Sequence, residues 1–155
     1  MFSIWLQSTE HNKEIYDLIT RFAKEEVKDP FFPHVTLVTK ISTYEKAMNI
    51  LKLLSNEKCI INFDKISTGE TYFQRLYLES SDNTYFFNSV SKIEGWPSLW
   101  VPHLSLYYGD ELPKSFDLGE LNKLIPVALT FDTIAVYKTG PQVSEWKEIT
   151  TLYLD

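Results

Sequence analysis

The sequence predicts an α+β fold with antiparallel sheets. Short strands and amphipathic helices alternate along the chain, and hairpin signals separate some of the strands, which disfavours a doubly wound parallel sheet. With 155 residues, 44% of them hydrophobic, the chain has enough apolar material for one compact domain over residues 1–155. Aromatic residues make up 15% of the chain, which favours packing in a β-rich core over disorder.

The first half of the chain alternates strand and helix. Phe2–Gln7 predicts a strand, and apolar residues at helical spacing over Ile15–Phe22 predict an amphipathic helix that stops before Asp29-Pro30. The β-branched run over Pro33–Lys40 predicts a second strand, with its proline at the entry. The segment Ser42–Glu45 then matches a capping box that begins at Ser42 and starts a second helix.

The second half contains more strands. Cys59–Ile66 and Tyr72–Leu78 predict a hairpin around Gly69, a residue that can adopt a positive φ. The remaining predicted elements are, in order, a helix with apolar positions Phe86, Val90 and Ile93 that ends at Gly95-Trp96-Pro97, a strand over Pro102–Tyr108, a short helix within Asp117–Leu124, and strands over Val127–Tyr137 and Trp146–Leu154.

Charge and cysteine content limit the possible functions. The 15 Lys+Arg and 21 Asp+Glu residues give a net charge of −6, so a broad basic surface for a nucleic-acid duplex is disfavoured and any phosphate binding must be local. The single cysteine, Cys59, excludes an intramolecular disulfide and a multi-cysteine zinc site, and its apolar neighbours predict a buried strand residue. The N-terminal segment lacks a basic region and a long apolar run, so we expect a cytoplasmic protein.

Two of the three histidines lie in the same six-residue pattern. Residues 32–37 (FPHVTL) and residues 101–106 (VPHLSL) both follow the order apolar, proline, histidine, aliphatic, hydroxyl, leucine. Alternate residues of a strand share a face, so each segment presents an imidazole beside a hydroxyl and turns its aliphatic residue to the core. A single His-x-Ser/Thr is common by chance, whereas this repetition in a chain with so few histidines is not.

This pattern predicts acid–base chemistry on a phosphodiester. If the two segments pack with approximate two-fold symmetry, His34 and His103 approach across a cleft, and Thr36 and Ser105 can donate hydrogen bonds to an anion between them. One neutral imidazole would take a proton from the attacking water, and the other, as imidazolium, would protonate the leaving oxygen. Both states are accessible because the ordinary pKa of histidine is near 6.5. No metal or cofactor is required.

Other interpretations are less well supported by the sequence. Each histidine of the pattern could merely satisfy a backbone carbonyl in a buried strand. His11 lies in the first turn of the first helix without the flanking pattern, which predicts a surface residue. A zinc site would have to recruit Asp29 or Glu70 without the usual ligand spacing. Ser105 has no Gly-x-Ser-x-Gly context, which disfavours a covalent nucleophile.

At these residues the sequence resembles the 2H phosphoesterase superfamily, named for its two His-x-Thr/Ser motifs, and in particular the cyclic phosphodiesterase branch known from plants and yeast. The likeness extends to residues 66–69 and 72–74, to Ser3–Leu6 and to Trp146. It implies a bilobal α+β fold in which two antiparallel sheets with flanking helices have a pseudo-two-fold arrangement around a central cleft. It also implies hydrolysis of ADP-ribose 1″,2″-cyclic phosphate to the 1″-phosphate, and of nucleoside 2′,3′-cyclic phosphates to 2′-phosphates.

The resemblance assigns roles to the repeated motifs. It implies that His34 and His103 perform the acid–base steps, in an order left open, and that Thr36 and Ser105 bind phosphate oxygens. Related members act instead on 2′,5′-oligoadenylates or cyclic oligonucleotide signals, and a non-catalytic module that binds nucleotides or RNA ends is a further alternative. The expected partner is a small cyclic nucleotide or ADP-ribose cyclic phosphate, with RNA ends as a second candidate. We expect no membrane association and a monomeric chain.

Aromatic residues complete the expected cleft. A tyrosine five residues after the second histidine belongs to the cleft in the family, which corresponds to Tyr108. Strict strand alternation would place Tyr107 on that face instead, so Tyr108 requires the strand to end or twist first. Tyr72 or Phe73 is expected either to form a wall for ribose or base or simply to pack in the core.

Overall fold

The structure is a computed structural model that describes residues 1–54, 56–82, 90, 92–93 and 101–155. Its strands are β1 (Phe2–Gln7), β2 (Val35–Ile41), β3 (Cys59–Phe63), β4 (Lys65–Thr68), β5 (Leu76–Glu79), β6 (His103–Tyr107), β7 (Val127–Phe131), β8 (Thr133–Lys138) and β9 (Lys147–Tyr153). Its helices are α1 (Lys13–Glu25), α2 (Tyr44–Leu51) and α3 (Leu118–Leu121), with short 3₁₀ helices over Tyr72–Gln74 and Val143–Glu145. The helix predicted from Phe86, Val90 and Ile93 falls largely outside the described residues, although Val90 and Ile93 are buried.

Seven of the described strands form one sheet in the order β4-β5-β6-β2-β1-β8-β9, and β3 pairs with β7 in a second, two-stranded sheet. Every strand pair is antiparallel. The predicted α+β class with antiparallel sheets is therefore confirmed. None of the described helices is long and apolar enough to cross a bilayer.

The chain repeats one arrangement of four strands. In sequence order β1 to β4 correspond to β5 to β8, and the fourth strand of each half pairs with the first strand of the other half, β4 with β5 and β8 with β1. The second strands of the two halves, β2 and β6, lie side by side at the centre of the large sheet. This approximate two-fold relation brings the two repeated motifs together.

Two predicted strands each break into two strands of different sheets. The strand predicted over Cys59–Ile66 divides at Asp64, and the strand predicted over Val127–Tyr137 divides at Asp132. The Asp132 carboxylate accepts hydrogen bonds from Thr9 N at 2.8 Å and Thr9 Oγ1 at 2.7 Å, and Asp64 accepts the equivalent pair from Ser81. Each aspartate thus fixes the point at which the chain passes from one sheet to the other.

The hairpin of β4 and β5 forms as predicted, but its turn is longer. Residues Tyr72–Gln74 form a 3₁₀ helix before β5 begins, so the strand predicted from Tyr72 starts later. Gly69 is required for close approach and not for a positive φ, because a Cβ at this position would lie 2.1 Å from the carbonyl oxygen of Gln74.

The core lies between the large sheet and the helices. The predicted apolar face of α1 is confirmed, since Ile15, Ile19 and Phe22 are buried in the core and the helix packs against β6. The second helix is capped one residue later than predicted. The side chain of Thr43, not that of Ser42, accepts the hydrogen bond from Lys46 N, since Thr43 has the extended backbone of an N-cap. Cys59 is buried in β3, as its apolar context predicts.

Candidate active site

The two repeated motifs meet at the centre of the sheet. Val35 of β2 pairs with Leu104 of β6, and both side chains are fully buried on the helix side. Continuing this antiparallel register places His34 opposite Ser105 and His103 opposite Thr36. Since alternate residues share a face, the imidazoles and hydroxyls all lie on the other side of the sheet.

A cleft of about 680 Å³ opens on that side of the sheet. Its lining includes both histidines and both motif hydroxyls, together with aromatic side chains from four different parts of the chain. The main lining residues are Ser3, Trp5, His34, Thr36, Thr39, Lys40, Thr71, Phe73, Gln74, His103, Ser105, Tyr108, Thr139, Gly140 and Trp146. The structure therefore brings together five of the six site residues expected from the sequence.

His34 is the more deeply buried imidazole, with 5% of its surface exposed. Its Nδ1–H donates to the carbonyl oxygen of Phe32 at 2.8 Å, which leaves Nε2 unprotonated in the neutral ring. The Trp5 indole stacks on the ring with centroids 3.9 Å apart, and the Tyr108 hydroxyl lies 3.4 Å from Nε2. Burial lowers the pKa of His34 to about 4, with a further small lowering by His103 and an opposing effect of the Phe32 carbonyl.

His103 has the same orientation in a less buried place. Its Nδ1 lies 3.3 Å from the carbonyl oxygen of Val101, and its Nε2 lies 3.5 Å from Nε2 of Gln74. Burial lowers the pKa of His103 below its ordinary value, whereas the Val101 carbonyl and the Glu79 carboxylate oppose that shift. In both motifs the residue two positions before the histidine holds Nδ1, so each Nε2 is directed toward the cleft.

Each motif hydroxyl lies opposite the imidazole of the other motif. Thr36 is partly exposed to the cleft, and Ser105 is buried with its Oγ donating to the carbonyl oxygen of Phe73 at 3.3 Å. Burial raises the pKa of the Tyr108 phenol, so this hydroxyl remains a neutral donor at physiological pH. The cleft thus presents two imidazole Nε2 atoms and three hydroxyl groups to a bound molecule.

A register shift decides which tyrosine faces the cleft. Next to Tyr107, one residue of β5 is matched by two residues of β6, so strict alternation fails at the end of the strand. Tyr107 turns to the helix side, where its ring packs edge-on against Phe22 with centroids 6.4 Å apart. Tyr108 turns to the cleft, as the family resemblance implied and alternation alone did not.

The end of β6 is held in place by two cations. Lys28 Nζ donates to the carbonyl oxygen of Tyr108 at 2.9 Å, and Arg75 Nε donates to the carbonyl oxygen of Gly109 at 3.0 Å. A Cβ at Gly109 would lie 2.6 Å from the Tyr107 ring and 2.9 Å from Lys28 Nζ, so a larger residue would have to displace these side chains.

Of the two residues expected to form the aromatic wall, Tyr72 lies outside the histidine cleft. Its ring lines a separate cavity of about 300 Å³ and lies 5.1 Å from Lys28 Nζ, whereas Phe73 lines the histidine cleft. Successive side chains of a 3₁₀ helix are turned by about 120°, so the two neighbouring rings face different cavities. His11 is exposed, as predicted, and lies in the turn before α1, where it stacks on Phe32.

Sequence reasoning did not single out three cleft residues for a role. Trp5 lies between His34 and Tyr137, with ring centroids 3.9 Å and 4.1 Å away, and Trp146 presents its edge to the Trp5 ring at 5.1 Å. A signal for Trp5 exists, because it is a large aromatic on the face of β1 opposite to the core residues. No sequence signal marks Gln74.

The described residues contain no group of three or more His, Cys, Asp or Glu side chains that could hold a metal ion. An antiparallel α+β fold with two central His-x-Thr/Ser motifs is that of the 2H phosphoesterase superfamily. Solved structures with this fold include a phosphoesterase (11% identity, TM-score 0.62, 99% of this chain and 97% of that chain covered). Escherichia coli LigT complexed with ATP (TM-score 0.65) and with 3′-AMP (TM-score 0.60) are also similar, each at 11% identity with 99% and 96% coverage.

The sequence identifies the family more closely. A family model described as cyclic phosphodiesterase-like protein matches residues 1–95, and the chain belongs to that family. The match includes the motif around His34, whereas the motif around His103 lies beyond it. No curated protein matches the chain.

Proposed function

We propose that this protein is a metal-independent phosphodiesterase that hydrolyses the cyclic phosphates of small nucleotides. Its substrates would be ADP-ribose 1″,2″-cyclic phosphate, opened to the 1″-phosphate, and nucleoside 2′,3′-cyclic phosphates, opened to 2′-phosphates. The observation that carries the proposal is the convergence of two Nε2 atoms and the two motif hydroxyls in one cleft. Family membership supports the reaction class.

The difference between the two imidazoles suggests a division of labour. His34 is held neutral by burial, with its lone pair on Nε2, which suits a base that takes a proton from the attacking water. Burial also lowers the pKa of His103, but His103 is less buried and the Glu79 carboxylate opposes this shift, so it is the easier of the two imidazoles to protonate and suits the acid that protonates the leaving ribose oxygen. The water oxygen bonds to phosphorus as the bond from phosphorus to that ribose oxygen breaks, so the cyclic diester becomes a monoester.

The remaining cleft residues have simpler roles in this proposal. Thr36 donates a hydrogen bond to a non-bridging phosphate oxygen, and Ser105 does the same once its hydroxyl rotates away from the Phe73 carbonyl. The Tyr108 hydroxyl lies 3.4 Å from Nε2 of His34, close enough to hold a phosphate oxygen or the attacking water. Phe73 and Trp146 have ring centroids 6.2 Å apart and offer an aromatic surface to the ribose or base.

We also propose the size of the substrate, the oligomeric state of the protein and its location. A net charge of −6 favours a small nucleotide over long RNA, although a short RNA end presents the same cyclic phosphate. A single chain supplies both motifs, so we propose that a monomer is active. The one cysteine is buried, and burial raises the pKa of its thiol to about 12, which is compatible with the reducing cytoplasm that we propose as its location.

The test is a substrate panel with product identification by ³¹P NMR. We expect turnover of 2′,3′-cyclic AMP to adenosine 2′-phosphate and of ADP-ribose 1″,2″-cyclic phosphate to the 1″-phosphate, both unchanged by EDTA. If the protein hydrolysed only 2′,5′-oligoadenylate or a cyclic oligonucleotide, its substrates would be oligonucleotides and not the cyclic phosphates of small nucleotides. Nucleotide binding without turnover of any substrate would contradict the proposal and indicate a binding module.

A further inference from the structure

We propose that the cleft contains a second anion subsite at Lys40, which binds a phosphate group of the substrate other than the one that is hydrolysed. This inference rests on the proposed function only for the position of the scissile phosphate, between the two histidines. It makes Lys40 a specificity-determining residue that favours nucleotides with an additional phosphate or diphosphate.

The described part of the cleft lining carries positive charge and no negative charge. Although the chain has 21 Asp+Glu against 15 Lys+Arg, no carboxylate lines the cleft among the described residues. Within that part of the lining, Lys40 carries the only permanent charge. The walls of this cleft are largely apolar and uncharged. A positive group there attracts an anion with little competition from other charges.

The backbone at Lys40 has an unfavourable conformation. Lys40 has a φ of 57°, in the left-handed region that costs a residue with a Cβ about 1–2 kcal/mol. The pairing of β1 with β2 shifts register between Phe2 and Ile4, which are the residues opposite this segment. A bulge of this kind normally carries glycine in the left-handed position. A lysine at such a place keeps strain that glycine would relieve, and strained residues concentrate at functional sites.

The surroundings of Lys40 can complete an anion site. Ile41 at the end of β2 and Lys138 at the end of β8 both pair with Phe2, so the two strand ends lie on either side of β1. Ser3 and Thr39, near the same strand ends, line the cleft with their hydroxyl groups, and Ser3 Oγ and Thr39 Oγ1 lie 3.0 Å apart. Donors of this type bind phosphate oxygens together with an ammonium group.

The spacing along β2 indicates where the second anion belongs on the substrate. Thr36 and Lys40 are separated by four residues, which is about 13 Å of strand at roughly 3.3 Å per residue, somewhat less with the bulge. A lysine side chain can reach back along part of this distance. The second anion therefore belongs on the far side of the ribose from the cyclic phosphate. A simple nucleoside cyclic phosphate has no charge at that position.

The test compares binding of product-like nucleotides by the quenching of tryptophan fluorescence, because Trp5 and Trp146 line the cleft. The ligands are adenosine 2′-phosphate, adenosine 2′,5′-bisphosphate and the corresponding 5′-diphosphate. The wild-type protein is expected to prefer the ligands with a second phosphate, and Lys40→Ala is expected to reduce that preference about fivefold, since exposed ion pairs contribute up to about 1 kcal/mol. The preference should also weaken in 0.5 M salt, which screens exposed charges.

Lys123→Ala is the matched control, because Lys123 is exposed and lies outside the cleft lining. Equal loss of preference in this variant, or an unchanged preference in Lys40→Ala, would overturn the proposal. If Lys40→Ala does not fold, Lys40→Gly suits the positive φ and gives the same comparison. Because the readout is a ratio of affinities, it does not depend on turnover. An inactive protein that shows the Lys40-dependent preference would contradict the proposed function and leave this inference supported.

Discussion

The burial of His34 predicts a loss of stability in mild acid. Burial lowers the pKa of His34 to about 4 in the folded protein, whereas the unfolded chain has the ordinary value of 6.5. Between these two values the unfolded state binds a proton that the folded state does not, so the free energy of unfolding falls as the pH falls from 6.5 to 4. The full difference corresponds to roughly 3 kcal/mol, since one pKa unit is about 1.4 kcal/mol.

The assay is urea unfolding at pH 4, 5, 6 and 7 on the wild type and on His34→Asn, whose amide can still donate to the Phe32 carbonyl. The wild type should lose roughly 3 kcal/mol more than the variant between pH 7 and pH 4, and the difference should be constant above pH 7. Parallel curves for the two proteins would refute the reasoning, because they would mean that His34 takes up a proton in the folded state as readily as in water. His103→Asn should show a smaller effect of the same sign, because burial lowers the pKa of His103 as well.

Three further predictions concern the site and its support. Thr36→Ala and Ser105→Ala should each lower kcat/KM for 2′,3′-cyclic AMP about 10- to 100-fold, the value of a hydrogen bond to a charged group; unchanged rates would exclude phosphate binding by these hydroxyls. His103→Ala should regain most of its activity on a phosphodiester with a p-nitrophenyl leaving group, which needs no acid, and His34→Ala should not; the opposite pattern would reverse the two roles. Gly109→Ala should lower the unfolding midpoint, because its Cβ would lie 2.6 Å from the Tyr107 ring; an equal midpoint would contradict this packing.

Local patterns predicted most of the elements of the fold. The spacing of apolar residues placed α1, because this signal depends only on which face of one element is buried. The division of the long strands at Asp64 and Asp132 could not be predicted. The apolar positions change phase there, from Phe63 to Ile66 and from Phe131 to Ile134, but the hydrogen bonds that turn the chain come from residues far away in the sequence.

The residues of the repeated motifs could be predicted from the sequence, whereas the cleft residues that depend on strand pairing could not. The two motifs carried their own evidence, since both histidines and both hydroxyls follow one spacing. Tyr108 reaches the cleft only through the extra residue in β6, which no local pattern reveals. Trp5 contacts His34 because β1 pairs with β2. Such neighbours follow from strand order and register, which a single sequence does not specify.

The most direct test of the central claim is the turnover of 2′,3′-cyclic AMP by the wild type, by His34→Ala, by His103→Ala and by the double variant. His11→Ala serves as the control, because His11 is exposed and lies outside the cleft lining. Each cleft substitution should lower kcat by about 10²–10⁴-fold, the usual contribution of a general acid or base, while the control retains wild-type activity. Wild-type turnover in the double variant would contradict the account, since no pair of imidazoles would then be needed to hydrolyse the cyclic phosphate.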